Sequence, residues 1–555
     1  MLQMSQKLTI YNKIILLILL AVFLIMISSV ALMEIERINY RIVYTASEYQ
    51  TVKLYNKDYQ EVMTMPRGQE LKVSTLFNQQ YYQIMYNKEQ YFINQLSVVN
   101  NLKAAVMEHT MYVRTPVTLS LEGGLSLIKK GEQVTIIGYD KLNVDGSVNR
   151  YQVSYNNLIG FVMAKYFVNT KELALLNYDQ AGTYLIHTKR GDTLGGGSGA
   201  NLDFYPYTKP SFTDNVMPKE TRCLYLNGGT IRRMDDYIVA AKSMNINAIV
   251  VDIKDNVSPA YASPAMQKYS PTSYNHAFNT FENYQTAIKK LKDNGLYVIG
   301  RITVFKDQYY SLDHPEHTIL DNTTGLSFDH NGAFWPSAFK REVWEYNIAL
   351  AKEAVAEMGF NEIQFDYVRF PDRTNNLEKA GKMNLRNTYN EDKAQAIQGF
   401  VMYAADELHQ VGAYISVDVF GESAHNYVTA YGQYWGAISN VVDVISPMPY
   451  PDHFSAHEYD FEEVVWTVPY KVLSFWASNY VVKRQLEIPT PAKVRTWIQA
   501  FNTSKEPAVE YGVTNVSEEI KALYDAGLRD GFMPWNSGSK IDKYYSLAEA
   551  FKKEY

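Results

Sequence analysis

The feature that most constrains the fold is a regular alternation of apolar and amphipathic segments from residue 221 to the end of the chain. Eight strand-like apolar runs lie at 222–227, 247–253, 296–305, 361–368, 413–420, 442–448, 494–500 and 531–535. Amphipathic helical stretches lie between them, at 231–244, 280–293, 340–358, 391–410, 515–526 and 542–553. Near-continuous apolar strands separated by helices predict parallel β-structure covered on both faces. Eight such units predict an α/β fold, a (β/α)8 TIM barrel over residues 221–555.

An open, doubly wound α/β sheet is the alternative. Such a sheet wants a glycine-rich phosphate-binding turn after its first strand. The turn at 227–230, Asn-Gly-Gly-Thr, is a poor version of that sequence. A second glycine-rich run at 195–199 has no strand before it and no Lys-Ser/Thr after it, so it does not predict a phosphate loop either.

The N-terminal region contains an uncharged apolar run at 14–33, which is long enough to span a bilayer as a helix. Lys7 and Lys13 precede the run, and Glu34 and Glu36 follow it. This asymmetry predicts a cytoplasmic tip and transmembrane anchor over residues 1–36, with the bulk of a single-pass cell-membrane protein outside. The alternative is a cleaved signal peptide, with Ser-Val-Ala at 29–31 as the cleavage site and a secreted product.

Residues 37–170 contain an internal repeat of short strand-like segments. The first copy comprises 67–73, 82–87 and 91–93, and the second comprises 130–136, 151–156 and 160–162. Apolar residues alternate around the turns of both copies, which predicts half-buried strands. We therefore predict two small all-β modules, at 37–100 and 101–170, followed by a linker at 171–220.

The second module resembles bacterial SH3-like domains, and the first is a degenerate version of the same pattern. The resemblance rests on a Lys-Gly turn, a valine-rich strand, a Tyr-Gln-Val strand and a closing Gly-Phe-Val. It implies either binding of cell-wall glycan or a spacer role that lifts the barrel off the membrane. The fold alone does not choose between these roles.

Polar residues gather at the carboxyl ends of the predicted barrel strands, where TIM barrels carry their chemistry. Asp366 on the fourth strand and Asp418 on the fifth share the interior parity, because side chains alternate along a strand. A carboxylate inside a barrel is costly unless it has a function. Glycosidic bonds are typically cleaved by two carboxyl groups that flank the bond. We predict Asp366 as the nucleophile, with either Asp418 or Glu422 as its partner.

Further residues at strand ends and in the following loops are expected to contact the substrate. Aromatic rings stack on sugar faces, and the charged side chains either pair with the carboxylates or bind a charged substrate. A salt bridge from Asp366 that merely orders the loop is the alternative to catalysis. The predicted substrate-binding residues are Asp252, Lys254, Arg301, Lys306, Trp335, Gln364, Arg369, Tyr450, His453, Gln499 and Trp535.

The sequence does not predict a metal or a cofactor. The loop histidines show no HExxH or paired-ligand spacing, and no Gly-x-Ser-x-Gly elbow occurs. A metal hydrolase such as a polysaccharide deacetylase, with Asp252 and two histidines around the ion, is one alternative. A barrel that binds glycans without cleaving them is another. The net charge of −6 argues against nucleic acid as a partner.

Several segments between 222 and 540 resemble a bacterial family described as putative glycoside hydrolases with a TIM-barrel domain. They include VVDIKD, YVIGRITVFKD, the long run from FWPSAFK to EIQFDYVRFP, YISVDVFG, VDVISPMPYPDHF, VRTWIQAFN and GFMPWN. The resemblance implies that Asp252, Asp366 and Asp418 belong to the family's pattern, whereas Glu422 falls just beyond it. Together with the anchor, it implies an extracellular glycosidase that acts on a cell-wall or capsular polysaccharide.

Overall fold

The computed structural model describes residues 13–30, 40–73, 76–190 and 194–555. The flanking charges Lys7, Glu34 and Glu36, and the last residues of the apolar run, lie outside the described residues. The chain forms two compact units. The first extends to Leu175, and the second comprises Leu176–Tyr555 with two short stretches, Pro116–Thr118 and Gly123–Leu127.

The apolar run forms a helix over Lys13–Val30, with a mean hydropathy of 2.8 and no buried residues. At 1.5 Å per residue the helix is about 27 Å long, close to the thickness of a bilayer's hydrocarbon core. The hydroxyls of Ser28 and Ser29 donate to carbonyls of the preceding turn, which satisfies the polar groups locally. Length and composition thus suit a membrane-crossing helix, and both anchors and signal sequences share these properties.

Two groups of antiparallel strands, which lie between residues 41 and 168, repeat one pairing scheme. In each group the first strand pairs with the fourth and with the short last strand. The repeated sequence segments therefore form equivalent strands. The first group has Arg41–Thr45, Thr51–Tyr55, Glu61–Pro66, Glu70–Val73, Leu76–Phe77, Tyr81–Tyr86, Glu89–Asn94 and Val98–Val99, and the second has His109–Val113, Val117–Leu121, Gly124–Ile128, Gln133–Tyr139, Arg150–Tyr155, Leu158–Met163 and Phe167–Val168.

Each group contains a hairpin closed by a two-residue turn in the left-handed region. The turn residues are Asn87 and Lys88 in the first group, with φ of 50° and 69°. They are Asn156 and Asn157 in the second, with φ of 47° and 64°. Turns of this kind match the right-handed twist of the paired strands. The Tyr-Asn repeat of the sequence therefore marks the end of a strand and the start of its turn.

The second unit is a closed barrel of parallel strands, which confirms the predicted TIM-barrel architecture. Each strand pairs with the next, and the eighth pairs with the first. The seventh strand has two parts, of which the earlier pairs with the sixth strand and the later with the eighth. The strands are Thr221–Leu226, Ala248–Asp255, Tyr297–Thr303, Glu362–Asp366, Tyr414–Phe420, Val444–Met448, Lys493–Val494 with Thr496–Gln499, and Gly531–Trp535.

Helices cover the outside of the barrel. Their ends carry local signals, such as the capping box at the start of Lys393–Gln410, formed by Asp392 and Gln395. The longer helices are Met234–Ser243, Phe281–Asp293, Arg341–Glu353, Lys393–Gln410, Pro469–Trp476 and Val513–Asp525. Shorter ones are Thr183–Thr188, Pro264–Tyr269, Pro271–Asn275, Gln308–Asp313, Asn375–Lys379, Trp435–Ser439, Val482–Gln485, Ile541–Ser546 and Ala548–Lys552. The short helix Lys171–Leu175 belongs to the first unit.

The described residues of the predicted linker after Leu175, at 176–190 and 194–220, include a part that packs on the barrel. Leu202 and Phe204 are buried against Val428 of the barrel unit. His187 stacks on Phe204 at 3.8 Å. A side chain on Gly196 would meet the carbonyl oxygen of Thr429 at 1.9 Å, so this approach requires glycine. The segment is therefore a packed strap and not a free connection, because its apolar side chains are buried on the barrel.

Candidate active site

Four charged side chains from adjacent strands meet inside the barrel near the carboxyl ends of the strands. Asp252 pairs in register with Arg301, and Thr303 pairs with Asp366. Asp418 lies on the next strand. All four charged residues are at least 94% buried, with exposed fractions of 2% for Asp252 and Arg301, 6% for Asp366 and 1% for Asp418. Asp366 and Asp418, for which the sequence predicts inward parity, thus lie together with Asp252 in one place.

Arg301 is the cation that joins these carboxylates. Its Nη1 donates to Oδ1 of Asp252 at 2.8 Å. Its Nη2 and Nε donate to Oδ2 of Asp366 at 2.6 and 3.1 Å. The same Nε lies 4.0 Å from Oδ2 of Asp418. One positive charge among three buried carboxyls favours a state in which not all three are ionised, because like charges in a dry site repel.

Asp366 is held as a hydrogen-bond acceptor on both oxygens. Oδ2 faces Arg301, and Oδ1 accepts from the backbone N–H of Tyr367 at 2.6 Å. That bond requires the strand to turn sharply, and Tyr367 has a φ of 53° in the left-handed region. Such backbone is strained for a bulky residue and concentrates at functional sites. The turn fixes the orientation of the Asp366 carboxylate at the mouth of the barrel.

Asp418 has a different environment. Its Oδ1 accepts from the indole N–H of Trp497 at 2.8 Å, and its buried Oδ2 has no hydrogen-bond partner among the described residues. Burial, and then the charge of Asp366, raise the pKa of Asp418 well above its usual range, and Arg301 opposes them. This carboxyl therefore favours the protonated form, in which Oδ2 can act as a donor.

Asp252 contacts Arg301 but does not itself line the cavity that Arg301 lines. Burial raises its pKa to about 6, against the opposing charge of Arg301. Its Oδ2 accepts from the hydroxyl of Tyr225 at 2.6 Å. Asp252 is thus bound to Arg301 and Tyr225, and the described residues place no histidine pair beside it for a metal. Its contacts suit a residue that positions Arg301.

Glu422 lies just past the fifth strand, in the short turn Gly421–Ala424. It is half-buried, and its two oxygens accept from two tyrosine hydroxyls. Tyr427 donates to Oε1 at 3.0 Å, and Tyr431 donates to Oε2 at 2.8 Å. The tyrosines hold the carboxylate at the wall of the same cavity that Asp366 and Asp418 line.

That cavity is an open cleft of about 1060 Å³. It lies at the upper end of the range of about 300–1,000 Å³ for small-molecule sites. Acids, cations and aromatic rings share its walls, a combination that suits a polar ligand with flat apolar faces. The lining residues include Arg301, Asp366, Tyr367, Arg369, Asp372, Asp418, Phe420, Glu422, Tyr431, Tyr450, Asp452, His453, Phe454, Trp497, Lys505 and Trp535.

Eight of the predicted site residues line this cleft. They are the three candidate acids together with Arg301, Arg369, Tyr450, His453 and Trp535. The guanidinium of Arg369 lies over several rings, including Trp335 at 4.9 Å and Phe420 at 4.5 Å.

Lys254, a predicted substrate-binding residue, does not lie in the cleft. The second strand bulges between Asp252 and Lys254, where the register shifts by one residue. This bulge turns Lys254 to the outer face. There Nζ donates to Asp307 at 2.5 Å and to Asn347 at 3.0 Å. The uniform alternation assumed from the sequence fails at this bulge.

Two glutamines that were predicted to bind substrate, Gln364 and Gln499, form hydrogen bonds within the barrel unit and do not line the cleft. Gln364 is fully buried inside the barrel, where its Nε2 donates to Ser446 Oγ at 3.2 Å. Gln499 accepts from the backbone N–H of Asp452 at 3.0 Å. Gln364 lies on the same face of its strand as Asp366, but the interior below the strand ends is filled by packed side chains.

Trp335 and Lys306 lie beside the cleft without lining it. Trp335 is 2% exposed and packs against the ring of Tyr367 at 5.7 Å. The Nζ of Lys306 lies 4.8 Å from the centre of the Tyr367 ring. Burial lowers the pKa of Lys306. Both residues support Tyr367, which itself lines the cleft.

Several residues of the site were not predicted from the sequence. Tyr225 and Trp497 donate to Asp252 and Asp418, and both lie on the inward face of their strands. Strand parity carried that signal, since Trp497 is two residues before Gln499. Tyr431, by contrast, comes from a loop whose sequence has no regular period, so no local pattern could have predicted it.

A TIM barrel whose buried carboxylates open into a cleft at the strand ends is the arrangement typical of glycoside hydrolases. Residues 223–541 match the family model described as "Putative glycosyl hydrolase domain", and the chain belongs to that family. The protein is accordingly a glycosidase.

Several solved structures are similar to this chain. A hypothetical protein from Ruminiclostridium thermocellum is 34% identical, with 35% of this chain and 97% of that one covered and a TM-score of 0.30. A class V chitinase from Pseudomonas fluorescens is 13% identical, with 60% and 100% covered and a TM-score of 0.37. An exo-β-N-acetylglucosaminidase variant from Vibrio harveyi is also 13% identical, with 60% and 54% covered and a TM-score of 0.38. No curated protein sequence matches the chain.

Proposed function

We propose that this glycosidase is anchored in the cell membrane and hydrolyses a cell-wall or capsular polysaccharide outside the cell, with Asp366 and Asp418 as its carboxylate pair. The observation that carries the pair is their shared contact with Arg301. The two Oδ2 atoms lie 3.1 and 4.0 Å from the same Nε. They are therefore at most about 7 Å apart, which is below the upper limit of about 9.5 Å for the separation of glycosidase carboxylates.

The environments of the two acids suit two different roles. Asp366 faces Arg301 through Oδ2, so it serves as the nucleophile or as the base that activates water. Asp418 holds a proton that it can give to the leaving glycosidic oxygen. In this scheme Arg301 orients Asp366, and the charge of Asp366 stabilises the positive charge that develops on the sugar ring.

Glu422 is the alternative proton donor. It lines the same cleft, is more exposed than Asp418, and has a side chain one methylene longer. A donor must touch the glycosidic oxygen, and this accessibility is the observation that favours Glu422. Under this alternative Asp418 would act on Asp366 only through the electrostatic interaction between the two carboxyl groups.

The test is hydrolysis by the full-length protein in detergent, measured as release of reducing ends from purified peptidoglycan and capsular glycans. Asp366→Asn should lower the rate by at least about 10²–10⁴-fold, the usual contribution of acid–base groups. A similar loss in Asp418→Asn, with a small effect of Glu422→Gln, supports the proposed pair. The reverse result assigns the proton donor to Glu422. Full activity in Asp366→Asn would refute both schemes.

The membrane assignment rests on the exposed apolar helix Lys13–Val30 and the charges that flank its sequence. We expect the protein in the membrane fraction, with protease added to intact cells cutting the barrel. A secreted product that starts near residue 31 would instead support the signal-peptide alternative.

The two repeated strand groups are proposed to be SH3-like modules that either bind wall glycan or act as spacers. A version lacking 40–170 separates the two roles. Loss of sedimentation with insoluble peptidoglycan, at unchanged turnover of soluble glycan fragments, would assign binding to the modules. Unchanged sedimentation would leave them as spacers.

A further inference from the structure

A second group of chemically active side chains lies in the loop after the third barrel strand. His314 follows the helix Gln308–Asp313, and Glu316 and His317 belong to the turn Pro315–His317. The potential ligand atoms of these three residues all lie within 4.8 Å of one another. We propose that they bind a divalent transition-metal ion such as Zn²⁺, at a site separate from the residues that line the catalytic cleft.

The distances suit such an ion. Oε1 of Glu316 lies 3.2 Å from Nδ1 of His314 and 3.7 Å from Nε2 of His317. Glu342 brings a further carboxylate oxygen to 4.0 Å from the same Nε2. Ligands arranged tetrahedrally around Zn²⁺, at about 2.0–2.2 Å from the ion, are about 3.3–3.6 Å apart. Small side-chain movements would therefore complete a site with two nitrogen and two oxygen ligands.

The hydrogen bonds of the two imidazoles are compatible with a lone pair on each nitrogen that faces Glu316. Nε2 of His314 lies 2.8 Å from the carbonyl oxygen of Tyr269, which can only accept, so Nε2 carries the proton. In a neutral ring Nδ1 then presents a lone pair to Glu316. Nδ1 of His317 lies 2.9 Å from the hydroxyl of Tyr310, and donation from Nδ1 to that hydroxyl would leave Nε2 with a lone pair. Histidines that bind metals are typically oriented by partners of this kind.

The tautomer of His314 creates an electrostatic requirement. A nitrogen lone pair and a carboxylate oxygen at 3.2 Å repel each other unless a cation or a proton lies between them. A metal ion satisfies both histidines and Glu316 at once, whereas one proton satisfies only one pair. Imidazole and carboxylate ligands together favour Zn²⁺ and neighbouring transition metals over Ca²⁺ or Mg²⁺.

The surrounding structure holds the ligands in place. The rings of His314 and His317 are stacked at 5.1 Å, and Tyr310 stacks on Tyr346 at 5.1 Å. The backbone N–H of Ser337 donates to the carbonyl of His317 at 2.9 Å. Because Glu342 lies in the first turn of the helix Arg341–Glu353, a bound ion would tie the loop to that helix. The site would stabilise this part of the barrel unit.

The experiment uses the full-length protein in detergent, stripped with a chelator and titrated with Zn²⁺ in a calorimeter. We expect one high-affinity ion per chain and a rise in Tm on binding. His314→Ala and His317→Ala should each weaken binding by at least about tenfold, more than the loss of an outer-shell partner would. His457→Ala removes an exposed histidine from another loop and serves as the matched control.

Glu316→Gln is the variant that separates metal binding from folding. It keeps the size of an exposed side chain and removes the anionic ligand, so the protein should keep its circular-dichroism spectrum while losing affinity for Zn²⁺. Binding that is unchanged in all three cluster variants, or absent from the wild-type protein at micromolar Zn²⁺, would overturn the proposal. Ca²⁺ should not displace the ion at equal concentration.

Discussion

Arg301 donates two hydrogen bonds to one oxygen of Asp366, from Nη2 at 2.6 Å and from Nε at 3.1 Å. The opposite end of the same guanidinium donates to Asp252. A planar fork with fixed donors can hold two carboxylates from different strands at once, which a single ammonium group cannot do in the same geometry. The orientation of the proposed nucleophile therefore depends on a side chain from the neighbouring strand.

Arg301→Lys should lower kcat by at least about 100-fold, because a lysine cannot reproduce the fork that positions Asp366. KM should change much less, since Arg301 is 2% exposed and the other lining residues of the cleft are unchanged. Steady-state kinetics on the substrate identified by the glycan screen measure both constants. Arg233→Lys changes an exposed ion pair with Asp236 and is the matched control. Wild-type kcat in Arg301→Lys would exclude this positioning role.

Asp418→Asn should become more stable relative to the wild-type protein as pH rises. The folded-state pKa of Asp418 is raised well above its unfolded value of about 3.9, mainly by burial. The protonated carboxyl therefore contributes fully below about pH 4, and the wild-type protein loses that contribution as pH rises toward the folded pKa. Urea unfolding of both proteins at pH 4 and pH 8 measures the difference. A relative gain by the wild-type protein with rising pH would contradict the prediction.

Trp497→Phe should raise the pKa of Asp418 further. The indole N–H of Trp497 donates to Oδ1 of Asp418 at 2.8 Å, and this hydrogen bond favours the ionised form of the carboxyl group. If Asp418 is the proton donor, the alkaline limb of the pH profile of kcat/KM should move to higher pH. Trp466→Phe removes an indole that donates to the carbonyl of Pro507 and should leave the limb in place. An identical shift in both variants would argue for a general packing effect.

Lys254→Met should destabilise the protein by about 3–5 kcal/mol, because it leaves the buried carboxylate of Asp307 without its cation. Lys254 and Asp307 are each 1% exposed, and their charged atoms are 2.5 Å apart. KM should stay near the wild-type value, since Lys254 does not line the cleft. Chemical denaturation measures the loss of stability. The double variant Lys254→Met with Asp307→Asn should recover part of it, because an asparagine side chain at this N-cap position can still cap the following helix.

The barrel was predictable because its signal is local and repeated. Eight apolar runs separated by amphipathic stretches are compatible with few folds other than a closed parallel barrel. The period of two along each strand also placed Asp366 and Asp418 on the inner face, where the structure has them. Trp497 carried the same signal on the seventh strand, and its contact with Asp418 could have been predicted from it.

Other features depended on contacts between distant segments. The bulge after Asp252 turns Lys254 to the outer face, and the pattern of apolar and polar residues in this strand does not predict the bulge. Residues 176–220 resembled a linker in composition, but their apolar side chains pack on the barrel. His314 and His317 lacked the spacing of a known metal motif, yet a helix followed by a tight turn brings their nitrogens to one carboxylate.

The sequence by itself determined the apolar N-terminal helix, the repeat of two β-strand groups, the (β/α)8 barrel and the inward direction of its acids, because each follows from periodicity along the chain. Only the tertiary structure decided that Arg301 bridges Asp252 and Asp366, that Asp418 is buried beside them, and that Glu422 lies at the wall. These relations depend on barrel closure, which brings side chains from different strands within hydrogen-bonding distance. Such distances are a property of strand register and not of any single segment.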